Sequence, residues 1–175
     1  MTFSYEKGKL IRAEKSTGEY FSFKWEEFEE GEFVTESKDH TGRSVSYSYR
    51  RGLLERVRIN GKRKIEYEYG EGENLEKIVN ARGICIIKNE YDEFDRITKQ
   101  SFPDGTFVSC EYDDLNRRTI FTEKNGSRSI HYSDKLFRNT KNEYDSSTEL
   151  FRYGREGQKI YVKKKSGKGD KLQLR

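Results

Sequence analysis

Proline is nearly missing from this 175-residue chain, with Pro103 alone, and cysteine and histidine occur twice each. Two cysteines, Cys85 and Cys110, cannot build a disulfide-dense scaffold, so a reduced, structural role is expected for both. His40 and His131 add too few soft ligands for a zinc site of recognisable spacing. No apolar run approaches the roughly 20 residues of a membrane-spanning helix. The opening Met1-Thr2-Phe3-Ser4-Tyr5-Glu6 lacks a basic segment followed by an apolar one, so the expected location is cytoplasmic as encoded. Phosphate-binding glycine loops followed by Lys-Ser/Thr are also missing.

Apolar residues are scarce at 31%, against 38% charged. That balance would suit disorder, but the 12 Tyr and 11 Phe argue against it. With 15 Gly, the composition fits many short strands joined by glycine turns, with aromatic rings supplying the apolar area. The length is enough for one domain with a core. The net charge of +4 is small but unevenly spread. Glu19 to Asp39 carries a local balance of −6, and Arg152 to Arg175 one of +7. Solvated faces explain both; electrostatic docking, head to tail or onto an acidic partner, is the sharper alternative.

What the chain does have is a repeat. The aromatics Tyr5, Trp25, Tyr49, Tyr69, Tyr91, Tyr112, Tyr132 and Tyr153 follow one another in steps of 20, 24, 20, 22, 21, 20 and 21 residues. Gly18, Gly61, Gly83, Gly105, Gly126 and Gly167 fall 12 to 14 residues after these anchors. Gly42 comes 17 after Trp25, which places the insertion of the long unit before it. The unit after Tyr132 has Tyr144-Asp145-Ser146-Ser147 instead of a glycine. In the clearest unit, Pro103-Asp104-Gly105 is a turn between two alternating runs, and Asp92-Glu93-Phe94-Asp95 is the opposite turn. Asp95 and Asn116 suit a left-handed turn position. Each unit is then a two-stranded antiparallel hairpin feeding the next.

The expected fold is all-β: tandem antiparallel hairpin repeats, about eight units of ~21 residues, forming a curved or spiral sheet, an open partial shell. Residues 1–165 make the repeat domain and 166–175 a basic C-terminal tail. Aromatic pairs at i and i+2, such as Phe3/Tyr5, Phe23/Trp25, Tyr47/Tyr49 and Tyr67/Tyr69, are expected on one face, burying a common aromatic surface.

Tyr91-Asp92-x-x-Asp95-Arg96-Ile97 through Pro103-Asp104-Gly105 resembles the YD repeat of Rhs proteins, and Tyr112-Asp113-Asp114-Leu115-Asn116-Arg117 through Asn125-Gly126 resembles it again. The resemblance fades at Tyr49-Arg50 and Tyr153-Gly154, which lack the Asp. It implies a shell-forming or scaffolding role like that of bacterial polymorphic toxins, insecticidal toxin complexes and teneurins, in a short or truncated member. The same resemblance allows export as part of a larger toxin system. Tyr5-Glu6-Lys7-Gly8-Lys9-Leu10 resembles instead the hairpins of short MORN-like repeats.

The residues that define the repeat are therefore Tyr5, Trp25, Tyr49, Tyr69, Tyr91, Asp92, Gly105, Tyr112, Asp113, Gly126, Tyr132 and Tyr153, with structural roles. Asp92, Asp113 and Asp145 recur with the period, which points to turns rather than to a unique acid. Both histidines are expected at solvated turns or strand ends. His131 with Cys110, one repeat apart, is the only nucleophile–base pair to name. No catalytic, cofactor or metal site is expected. The expected partner is protein: a copy of the chain, further repeats or a toxin cargo domain. A carbohydrate- or protein-binding module using the aromatic face and an immunity-type protein are the alternatives. The basic Lys163-Lys164-Lys165 suits nucleic acid, but the small net charge argues against it.

Overall fold

The computed structural model describes residues 1–166 and 169–173, and all regular structure among them is strand. The strands are β1 (Thr2–Glu6), β2 (Lys9–Glu14), β3 (Tyr20–Phe28), β4 (Gly31–Asp39), β5 (Ser44–Arg50), β6 (Leu53–Ile59), β7 (Arg63–Tyr69), β8 (Leu75–Val79), β9 (Cys85–Tyr91), β10 (Ile97–Ser101), β11 (Phe107–Asp113), β12 (Arg118–Glu123), β13 (Arg128–Ser133), β14 (Asn139–Tyr144), β15 (Ser147–Tyr153), β16 (Lys159–Ser166) and β17 (Gly169–Gln173). Two compact units divide the chain within β9, Met1–Lys88 and Asn89–Arg175. In the first, β1 through β9 pair in sequence order, all antiparallel. In the second, β10 through β17 do the same, and β17 pairs with β16. The chain is thus an all-β series of antiparallel hairpins. Gly167 lies outside the described residues.

The turns explain the glycine rhythm. Gly18, Gly42, Gly83, Gly105 and Gly126 hold φ between +73° and +88°. Each donates its N–H to the carbonyl three residues back, closing a short loop whose last residue is left-handed. On the opposite side the same bond pattern is made by Glu73, Asp95 and Phe137, with φ of +60°, +59° and +57°. The long unit after Trp25 is an extended hairpin. Its nine-residue arms β3 and β4 meet at the two-residue turn Glu29-Glu30, and Phe28 and Phe33 near its tip pack on Tyr49.

Carboxylates brace several turns. Asp92 Oδ1 accepts the N–H groups of Phe94 and Arg96 at 2.9 and 3.0 Å, and Oδ2 accepts Arg96 Nε at 2.8 Å. Asp134 repeats this with Leu136 and Arg138 at 2.8, 3.0 and 2.8 Å. Asp113 bonds Asn116 and Arg118 in a loop one residue longer. Asp145 makes a different turn, the two-residue link between Tyr144 and Ser147.

The anchors mark β-bulges. Pairing skips one residue of the next strand on entering Tyr5, Trp25, Tyr49, Tyr69 and Tyr153. Leu10 therefore faces Tyr5, Val34 faces Trp25 and Leu54 faces Tyr49. The carbonyls of those same residues are taken by the next anchor along. Trp25 Nε1 donates to Leu10 O at 2.9 Å, Tyr49 Oη to Val34 O at 2.9 Å and Tyr69 Oη to Leu54 O at 3.0 Å. Tyr112 donates to Ile97 O at 2.8 Å and Tyr153 to Asn139 O at 2.7 Å. A bulge takes a carbonyl out of regular pairing, and the following ring reaches back to satisfy it. Each latch ties one unit to its predecessor.

Two outcomes follow for stability. Tyr69→Phe removes only the latch hydroxyl and strands the Leu54 carbonyl, so it should cost about 1 kcal/mol in urea unfolding; Tyr5→Phe, whose ring is 63% exposed, should cost less than about 0.5 kcal/mol. Phe137 is 88% exposed and left-handed. Phe137→Gly should raise the unfolding midpoint, by about 1 kcal/mol of relieved backbone strain.

Candidate functional site

No apolar side chain among the described residues is fully buried; Asp39, Asn89 and Asn142 are the buried residues. The expectation of a buried aromatic face is met only halfway. The first-unit rings share a face, but no apolar residue among those described is fully buried on it.

In the first unit the sheet is two-sided. One face carries the anchors, in rows such as Tyr47–Val57–Ile65 and Tyr67–Ile78–Ile87 across neighbouring strands. The other face is charged. There Arg56 Nε meets Glu66 at 3.1 Å, Lys64 meets Glu66 at 2.9 Å and Lys77 meets Glu68 at 2.7 Å. Around Tyr49 and Tyr69 burial pushes the phenol pKa up, as the latch positions require. An open cleft of about 690 Å³ at this end is lined by Arg50, Arg51 and Arg56 together with Glu55, Glu66, Glu68, Glu71 and Glu73, so acidic groups outnumber basic ones there.

The second unit departs from this scheme. Pairing between β11 and β12 has no skipped residue: Tyr112 faces Thr119 and Asp113 faces Arg118. Thr119 in turn faces His131, and Arg118 faces Tyr132. Tyr132 therefore lies on the face opposite Tyr112. Its hydroxyl donates to Glu143 Oε2 at 2.6 Å, with Lys141 over its ring. The carbonyl fifteen residues back, at Arg117, is held by the Ser133 N–H at 2.9 Å instead. The bulge falls one residue later, between Tyr132 and Ser133. Ser133-Asp134 thus takes the place of a Tyr-Asp pair. Asp at i and Arg at i+4 recur here as in Asp92/Arg96, a spacing shared by Asp39/Arg43 at a turn of the opposite rim.

His131 then occupies the slot two residues before an anchor position, which Tyr67 and Cys110 fill elsewhere. It is half-buried in the middle of β13, not at a solvated strand end, with Phe121 at 4.8 Å and Tyr144 at 6.3 Å between ring centroids. Burial lowers its pKa. His40 is at the exposed turn after β4. Cys110 faces Phe121 on β12, and His131 lies on the strand beyond, so β12 separates the pair. Burial raises the Cys110 thiol pKa, which disfavours the nucleophilic thiolate. Both cysteines are free. Among the described residues no group of three His, Cys, Asp or Glu is placed to hold a metal ion.

The remaining defining residues have structural surroundings. Arg96 stacks over the Tyr112 ring at 4.3 Å and Arg138 over Tyr153 at 4.8 Å, so turn carboxylate, arginine and next anchor form a repeated triplet. Asn116 and Arg118 hold the Asp113 carboxyl below its usual range, and Arg138 does so for Asp134. At Asp92 partial burial pulls upward, but the Arg96 and Phe94 donors outweigh it. Asn89 Nδ2 reaches Tyr91 Oη at 3.3 Å. Gly105 and Gly126 are at turn tips. One feature was not signalled by the period alone. Phe94, Leu115 and Leu136, each two residues past a turn carboxylate, are 66%, 96% and 69% exposed. They form a row of apolar tips along one rim of the second unit, about 10 Å apart at two strands per step. The matching turns of the first unit, Lys7-Gly8, Arg51-Gly52 and Glu71-Gly72, are polar.

No family model matches the chain, and no curated protein matches it in sequence. Solved structures do match in fold. A Tc holotoxin pore of Photorhabdus luminescens aligns over 88% of this chain at 13% identity with a TM-score of 0.58. A crystal structure of TcdB2-TccC3-TEV aligns over 95% at 12% identity with a TM-score of 0.56. This chain spans only 9% and 12% of those two chains. At such identities the likeness is one of fold, and the fold is that of the Rhs-like β-shell repeats found in these toxin structures.

Proposed function

We propose that the chain is a non-catalytic repeat scaffold, a segment of Rhs-type β-shell that works by packing against protein. The observation that carries this reading is the uncovered anchor face. Aromatic and branched side chains line it in ordered rows, yet no apolar residue among those described is fully buried. An apolar surface of that extent in water marks a contact site. Repetition supports the same reading. The latch and the Asp–Arg–Tyr triplet recur from unit to unit, whereas a catalytic site needs one constellation that differs from its surroundings. The partners this suits are further repeats, another copy of the chain or a toxin cargo domain. The fold likeness to parts of toxin complexes favours protein over sugar or nucleic acid.

A binding survey across ligand classes tests the proposal. The purified chain is screened by interferometry against Rhs-type repeat segments, a second copy of the chain, a glycan array and single-stranded nucleic acid. Saturable binding is expected for protein alone, and Tyr47→Lys with Tyr67→Lys should weaken it at least tenfold while circular dichroism stays that of a sheet. Saturable glycan binding that Tyr47→Ala and Tyr67→Ala abolish would replace the scaffold with a lectin-like module.

A further inference from the structure

We infer that β1 is a self-association edge: two copies of the chain pair β1 with β1, antiparallel, about a twofold axis through Ser4. The inference rests on the scaffold reading and names one of its partners and the residues that meet it.

The first observation is exposure. All five residues of β1 are exposed, with Phe3 at 50% and Tyr5 at 63%. Trp25, Tyr49 and Tyr69 fill the same slot as Tyr5 but are half-buried. Their strands have a partner on each side, whereas β1 pairs with β2 alone among the described strands. An aromatic edge strand of this kind templates pairing unless charge or proline protects it. Here Glu6 is the only charged residue in the strand.

The second observation is which backbone groups are free. Glu6 and Lys9 close the two-residue turn Lys7-Gly8, with φ of +48° and +81°. In such a hairpin the closing pair exchanges both hydrogen bonds. Alternation then turns Ser4 toward β2 and directs the N–H and C=O groups of Phe3 and Tyr5 to the open side. The extra residue of the bulge is Ile11, on β2, so it leaves this alternation in β1 intact.

The third observation is the sequence. Thr2-Phe3-Ser4-Tyr5-Glu6 has the same character read from either end about Ser4. In a twofold antiparallel pair, Phe3 lies opposite the second copy's Tyr5, and Tyr5 opposite its Phe3. Those are the residues with free backbone groups, so both pairs exchange hydrogen bonds while their rings meet on one face. Thr2 lies opposite the second copy's Glu6, and no like charges face each other. Shifting the pairing by two residues loses one of the two ring pairs. The contact is isologous, so it closes at a dimer. Five residues per copy make a small interface, and the association is weak and concentration-dependent.

The full chain in sedimentation equilibrium over a concentration series is expected to shift from monomer to dimer. Phe3→Lys with Tyr5→Lys alters only exposed positions and should raise the dissociation constant at least tenfold, with the circular dichroism unchanged. A cross-link fixes the register independently. Ser4 meets its own copy in a non-hydrogen-bonded pair, where Cα atoms lie about 4.5 Å apart, inside disulfide range. With Cys85→Ser and Cys110→Ser as background, Ser4→Cys should oxidise to a covalent dimer and Thr2→Cys should not. A strict monomer at all concentrations together with no Ser4→Cys cross-link overturns the inference. So does growth past the dimer, which means a head-to-tail contact. Association that survives the two lysines but is lost in Tyr67→Lys overturns the edge and moves self-contact to the anchor face, leaving the scaffold reading standing.

Discussion

The hydrogen bond from the rings of Trp25, Tyr49, Tyr69, Tyr112 and Tyr153 to a carbonyl of the preceding unit is the contact on which this fold turns. A β-bulge alone would be a defect, because it removes a carbonyl from regular pairing in a strand that is already half exposed. An aromatic ring alone would lie loosely on an open sheet. Together they make one device. Val34, facing Trp25 across the bulge, offers the carbonyl that Tyr49 takes; Leu54, facing Tyr49, offers the one that Tyr69 takes. Stability in such an array is a sum of unit terms and neighbour terms. With no fully buried apolar side chain among the described residues, the neighbour terms must come from half-buried rings, ladder hydrogen bonds and these latches.

That dependence explains how much of the architecture could be read from the residues. A period near 21 was visible because the latch needs a ring once per hairpin and the short loop needs a left-handed residue once per turn. Pro103-Asp104-Gly105 and Tyr91-Asp92 announce themselves through local chemistry, which acts over four or five residues. Faces are set differently. They depend on whether a bulge is present, and one residue more or less inverts every side chain that follows. The step of 20 residues from Tyr112 to Tyr132 looks as regular as the others, yet the pairing of Asp113 with Arg118 carries no skip and sends Tyr132 to the far face. Counting ring to ring could not reveal this. Asp134 and Arg138 preserve the spacing of Asp92 and Arg96, but Asp39 and Arg43 share it on the opposite rim, and serine precedes Asp134 where tyrosine precedes Asp92, so neither the ring period nor the spacing singles it out.

Inversion at Tyr132 also changes what the second unit presents. A polar row replaces an apolar one as His131 faces Asn142, Asn142 faces Glu149 and Glu149 faces Lys164. The buried Asn89 and Asn142 follow the same tendency, each bonded to a neighbour on its own sheet: Gln100 donates to Asn89 at 2.9 Å and Asn139 to Asn142 at 2.7 Å. Polar groups that satisfy one another ask less of a covering partner than bare rings do. Described separately, the first unit offers a broad apolar face, and the second interrupts its rings Phe121, Phe151 and Tyr153 with this polar row and adds apolar turn tips.

A single-layer sheet also has two routes to a partner that are physically distinct. A face is filled by side chains, is tolerant of the partner's sequence and takes its strength from area. An edge is filled by backbone, is limited to one strand and takes its specificity from register. The anchor face of the first unit has the character of the former, with area and no fixed pattern of donors. β1 has the character of the latter, with little area but a defined alternation of free N–H and C=O groups and rings placed to match it. Natural sheets usually protect such an edge with lysine, proline or a bulge turned outward. Here the bulge is on the β2 side and Pro103 is remote in sequence, so among the described strands the far side of β1 is unprotected, and its residues are complementary to themselves.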